Sequence, residues 1–119
     1  MLDFSSIKTT GNTFSDCTKL ENIEKIIIGN NYPATTTLFT NCKKLREVRF
    51  EGTFVNNFGV GPCIVLSRAS IENIVNCLSS SATGKTLTIS QTAVDGAFTP
   101  DEWAALMATK SNWTFTMTT

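Results

Sequence analysis

Thr83, Gly84, Lys85 and Thr86 stand in a row, and these are residue types with which a phosphate-binding loop holds a nucleotide. Such a loop also needs a glycine five positions before its Gly-Lys-Thr and a helix directly after it, so that amides at the helix start face the phosphate. Position 79 is serine, and the residues after Lys85 alternate like a strand. The context is inverted, which argues against nucleotide binding.

The other chemistry-bearing residues also have structural readings. Cys17, Cys42, Cys63 and Cys77 are widely spaced with no Cys-x-x-Cys pair, and the chain has no histidine. Zinc spacing is absent, together with the commonest metal ligand and the commonest general base. No metal or cofactor is expected. A hydrolase would have to rely on a Ser–Lys arrangement, and no motif marks one. Cys17 and Cys42 occupy equivalent repeat positions and are expected to be small buried side chains. A disulfide between them is conceivable but not required. Cys77 sits beside an apolar helix stripe. Cys63 follows Gly61 and Pro62 in a loop and falls outside the repeat copies. Asp101 and Glu102 are adjacent carboxylates, but helix capping accounts for both. Trp103 and Trp113 have the rings to stack on a sugar, but they lie on apolar faces and are expected in the core. No catalytic residue is assigned.

These residues need elements to place them. The chain has 119 residues with zero formal net charge and 41% hydrophobic residues. That is the size and composition of one globular domain, with no field to draw it to nucleic acid or an anionic membrane. The longest apolar runs, 26–28 and 63–66, are far short of the roughly 20 residues that span a bilayer. No signal peptide is visible.

A repeat runs through the first half. Phe14, Cys17, Leu20 and Ile23 recur 25 residues later as Phe39, Cys42, Leu45 and Val48. A period of this length predicts one strand and one short helical segment per turn of a solenoid, whose units bury their apolar edges only against each other. Strands are expected at 25–28 and 47–50.

In the second half, Ser67 is a helix N-cap and Leu66 with Ile71 a hydrophobic staple. Ile71, Ile74, Val75 and Leu78 form one buried stripe, giving a helix over 67–80. Thr99, Pro100 and Glu102 form a capping box, with Phe98 and Trp103 as its staple, and open a helix over 99–110. Residues 86–90 and 113–117 alternate strictly, as strands. Strands separated by helices imply right-handed parallel crossovers. One sheet is expected to run from residues 2–4 through 26–28, 48–50 and 87–89 to Phe115, with a further short strand near 57–59. The fold class is α/β: a right-handed β/α leucine-rich-repeat solenoid with short helices opposite a mainly parallel sheet. One domain is expected over 1–119, with short repeats over 1–60 and longer helices over 61–119.

Phe39, Thr40, Asn41, Cys42, Leu45 and Val48 follow the order of the BspA-like leucine-rich repeats of bacterial surface proteins, and the first half resembles that family. The first copy departs from it with Asp16 in place of asparagine. Ser70, Ile71 and Ile74; Thr86, Leu87 and Thr88; Ala97, Phe98, Thr99, Glu102 and Trp103; and Asn112, Trp113 and Thr114 resemble, in that order, the C-terminal portion of some gut-bacterial members. Similar modules look common in prophage regions. The resemblance implies a non-catalytic protein-interaction or adhesion module at a cell surface or secreted. The alternative it implies is a structural part of a phage or prophage particle.

If Ile26, Ile28, Val48 and Phe50 point inward, then Lys25, Ile27, Glu47, Arg49 and Glu51 point outward. Thr86, Thr88, Ser90, Thr114, Thr116 and Thr118 are expected to continue that face. Solenoids bind through such sheets, so Lys25, Ile27, Glu47, Arg49, Glu51, Thr86, Thr88, Thr114 and Thr116 are the candidate partner-binding residues. A protein or surface-glycan partner is expected, its identity unknown. Nucleic acid and membrane insertion are not expected. The chain ends read as open solenoid ends, which favours self-association.

Overall fold

The computed structural model describes residues 2–4 and 14–119. The expected domain span and its 1–60 repeat section therefore include residues outside the described set. Among the described residues the fold is mixed α/β, with two small parallel sheets and three helices. The first sheet orders β1 (Leu2–Asp3), β2 (Asn22–Gly29) and β3 (Glu47–Gly52) side by side. The second orders β4 (Phe58–Gly59), β5 (Lys85–Ser90) and β6 (Trp113–Thr118). Every strand pair is parallel, as expected from the crossovers.

The single continuous sheet is corrected. The strands divide into two sheets whose inward rings meet: Phe50 of β3 and Phe58 of β4 have centroids 5.4 Å apart, and Phe54 lies 5.2 Å from Phe50 and 4.2 Å from Phe58. Alternation identifies which residues turn inward. It does not say against which neighbour a strand lies. Ile26, Ile28, Val48 and Phe50 are buried as predicted. In β2 the register shifts between Ile23 and Ile26, so both of these residues face the interior.

The repeat has a structural counterpart in its turns and strands, but the expected short helical segment is corrected: among the described residues the chain between β2 and β3 forms turns and no helix. Phe14 and Phe39 stack at 5.5 Å. The Cys17 N–H donates to the Phe14 carbonyl and the Cys42 N–H to the Phe39 carbonyl, at 3.2 and 2.9 Å. Asp16 and Asn41 share a positive φ, 63° and 62°, and the Asn41 amide donates to the Asp16 carboxylate at 2.6 Å. The departure at Asp16 is thus accommodated: both residue types tolerate the left-handed backbone, and side by side they form a donor–acceptor pair.

Helix α1 (Arg68–Asn76) starts at the predicted Ser67 cap and ends earlier than the expected 67–80. It lies along the free edge of β3. The Val48 N–H donates to Ser70 Oγ at 3.0 Å. The Asn73 carboxamide accepts from the Phe50 N–H at 2.7 Å and donates to the Phe50 carbonyl at 3.0 Å. Helical side chains thus take the place of a fourth strand. Helix α3 (Pro100–Ala108) has the predicted capping box, and Phe98 meets Trp103 at 5.6 Å. Helix α2 (Gln91–Ala97) was not expected. Its N-cap is Ser90, which is buried, so Ser90 leaves the set of outward residues.

Trp103 and Trp113 are core residues at 7% and 5% exposure. The Trp113 indole donates to the Ser79 carbonyl at 2.9 Å. Leu106 and Met107 of α3 and Phe115 and Met117 of β6 are half-buried against the core, and Trp103 meets Phe115 at 5.8 Å.

Candidate interaction surfaces

Because the interior faces of the two sheets meet, their outer faces look to different sides of the molecule. The nine candidate residues therefore make two surfaces instead of one. Lys25, Ile27, Glu47, Arg49 and Glu51 stay together on the first sheet. Thr86, Thr88, Thr114 and Thr116 stay together on the second, with Thr86 in register with Thr114 and Thr88 with Thr116.

On the first sheet, Arg49 and Glu51 are exposed while Lys25, Ile27 and Glu47 are half-buried. Lys25 Nζ lies 2.8 Å from Glu51 Oε2. That bond and the lysine's charge hold the Glu51 carboxyl below its usual range, with Arg49 adding to the effect. Glu47 accepts from Ser67 Oγ at 2.9 Å and from Ser70 Oγ at 3.3 Å, which fixes its carboxylate at the start of α1.

Beside this face runs an open groove of about 450 Å³. Its floor is Asn22, Glu24, Glu47 and Arg49, and its wall is Ala69, Glu72, Asn73 and Asn76 of α1. Glu24, Glu72 and Asn76 were missed by sequence reasoning. Alternation placed Glu47 and Arg49 on an outer face, but only the seating of α1 on the β3 edge brings the helix wall beside them. Chemically the groove offers carboxylates and amides around one guanidinium, a set that hydrogen-bonds a polar or basic segment.

The second surface is flatter. Thr114 and Thr116 are exposed and Thr86 and Thr88 half-buried. Beside them a hollow of about 380 Å³ is lined by Thr36, Lys43, Gly61, Pro62, Ile64, Thr88 and Thr118. Its walls are mostly methyl and methylene groups with one ammonium.

All four cysteines are free thiols; Cys42 is buried as expected, whereas Cys17 is only half-buried. Burial pushes the Cys42 thiol up, partly offset by a hydrogen bond from the Cys17 backbone, and its sulfur donates to the Phe14 carbonyl at 2.8 Å. Cys63, unplaced from sequence, is a third member of the series. Its N–H donates to the Val60 carbonyl at 3.0 Å, the same bond to the third residue before it that Cys17 and Cys42 make. Burial, with Cys42 nearby, pushes its thiol up to about 12. The spacing Val60, Cys63, Leu66 repeats Phe39, Cys42, Leu45 and was the available signal. Pro62 obscured it, since proline cannot adopt the positive φ of Asp16 and Asn41. Cys77 Sγ lies 3.4 Å from the Phe50 carbonyl, and its thiol is raised by burial.

The segment that suggested a phosphate loop leads into β5 and not into a helix. Its carbonyls are occupied as acceptors: Asn112 Nδ2 donates to those of Ser79 and Ala82 at 2.9 and 2.7 Å. Asp101 and Glu102 lie in the first turn of α3, and Glu102 completes its cap. Among the described residues no group of three or more histidine, cysteine or carboxylate side chains is placed to hold a metal ion, and no helix is long and apolar enough to cross a membrane. Comparisons with protein-family models, with curated proteins and with solved structures found no significant match.

Proposed function

We propose that the chain is a recognition module built on BspA-like leucine-rich repeats, coiled as a short solenoid, and that it binds a protein partner non-catalytically through the groove between the first sheet and α1. The observation that carries the reading is that groove, where Glu47 and Arg49 of the repeat strand lie beside Glu72 and Asn76 of the helix. The equivalent turns at Cys17, Cys42 and Cys63 support the repeat assignment, because each segment makes the same bond and lies against its neighbour. Three carboxylates against one guanidinium in the lining favour a partner segment that carries a lysine or arginine.

The test uses a displayed peptide library, followed by titration of the selected peptide against variants. Arg49→Glu and Glu72→Lys should each change affinity by about tenfold or more, equal to roughly 1.4 kcal/mol, while Thr88→Glu on the other sheet should leave it unchanged. Selected peptides that ignore Arg49 and Glu72 but respond to Thr88 would move the site to the threonine surface. A library that yields no binder, with a surface-glycan array that does, would replace the protein partner by a glycan.

A further inference from the structure

Among the described residues, strand β6 leaves one edge of the second sheet unpaired. Within β5, the Thr86 N–H meets Asn57 Oδ1 at 2.9 Å, and the Thr88 carbonyl accepts from the Val60 N–H at 2.8 Å. Thr86 and Thr88 therefore turn their backbone groups toward the β4 side. Successive residues of a strand turn theirs to opposite sides, so Lys85, Leu87 and Ile89 face β6. In the observed register they bond Thr114, Thr116 and Thr118. The N–H and C=O groups of Phe115 and Met117 consequently point away from the sheet, and among the described residues no backbone group meets them.

This edge lacks the protections that usually block pairing. Trp113–Thr118 contains no proline and no charged residue. Its pairing with β5 runs over six residues without a register shift. The edge of β3, by contrast, is closed by Ser70 and Asn73. The strand's side chains define what would fit beside it. Thr114 and Thr116 are exposed on the outer face, while Phe115 and Met117 are half-buried on the inner one. A matching strand is uncharged, with threonine-like residues outside and apolar ones inside, and β6 itself has that pattern.

We propose that β6 pairs antiparallel with β6 of a second copy of this chain, about a two-fold axis at Thr116. Phe115 of each copy then lies opposite Met117 of the other, and their free N–H and C=O groups bond reciprocally. Thr116 lies opposite Thr116, and no like charges meet along the strand. The half-buried Phe115 and Met117 gain cover from the partner's own pair. The groove between β3 and α1 lies on the other sheet, so this pairing stands or falls independently of peptide recognition there.

Light scattering of the full chain at millimolar concentration tests it. The wild type should have twice the chain mass. Thr116→Lys and Thr116→Glu, at an exposed position, should each halve that mass while melting as cooperatively as the wild type. Mixing the two in equal amounts should restore the dimer, because unlike charges then meet at the axis. A wild type of single-chain mass overturns the proposal. So does a dimer that persists in both variants alone, or a mixture of folded variants that stays monomeric.

Discussion

Glu102 shows how much one side chain contributes without lying in a core. The Thr99 N–H donates to its carboxylate at 2.9 Å, and Arg68 reaches the other oxygen at 2.9 Å. Together they hold its carboxyl down to about 2, from an ordinary 4.5. A depressed carboxyl favours the folded state above its unfolded value and loses that contribution as pH falls toward the folded one. The melting temperature should therefore decline on acidification from about pH 4.5 to about pH 2, and Glu102→Gln should show a shallower decline across that window. Thermal melts at several pH values check this, and equal slopes would remove Glu102 as the cause. Arg68 also lies over the Phe98 ring at 4.8 Å, so the same contact ties α1 to the start of α3. Glycine is required at one position by the same kind of local reasoning. Gly52 has φ of 127°, and a Cβ there would come within 2.3 Å of the Gly29 carbonyl oxygen.

Among the elements, α1 has the least usual task, since it closes a sheet edge with side chains. Asn73 satisfies both backbone groups of Phe50. Asn73→Ala would leave the partly buried Phe50 N–H without a partner, at about 1–3 kcal/mol, and its C=O with the Cys77 thiol alone. Urea denaturation should show the midpoint falling accordingly, with hydrogen exchange at Phe50 accelerating first. An unchanged midpoint would mean that water replaces the amide without cost. Two of the three helices were legible because their starts carry physical punctuation: the Ser67 cap, and the Thr99, Pro100 and Glu102 box. α2 was not. It is seven residues long, includes Gly96 and buries only Ala93 and Val94, so it has no stripe to read. The split into two sheets was also illegible. Inward and outward residues follow from local alternation, whereas the choice of neighbour is set by how Phe50, Phe54 and Phe58 pack in three dimensions, which alternation does not encode. The groove was half legible for the same reason: Glu47 and Arg49 belong to the repeat, but Glu72 and Asn76 reach it only through the seating of α1.

Across the whole molecule, an aromatic network in the interior joins the two sheets. Phe14 contacts Phe39, Phe39 contacts Phe50, and Phe50 and Phe54 contact Phe58. Phe54 is 1% exposed and touches Tyr32, Phe50 and Phe58. Phe54→Ala should cost about 3–5 kcal/mol, the usual range for removing a fully buried phenyl ring. If the interior is shared, amides of β2 and β5 should lose hydrogen-exchange protection together. Loss confined to one sheet would show that the sheets unfold separately.

The amide clamp of Asn73 on β3 also bears on how such a chain can change length. Between β2 and β3 a further segment of about 25 residues would find a strand on either side and add a rung without disturbing the helix. After β3 there is no such vacancy: a new strand would displace Ser70 and Asn73 from Val48 and Phe50. On the proposed repeat reading, insertion of a whole unit should therefore be tolerated upstream of Glu47 and penalised downstream of it, so size variants of this architecture should differ in how many short segments precede the clamp, with the helical half preserved intact.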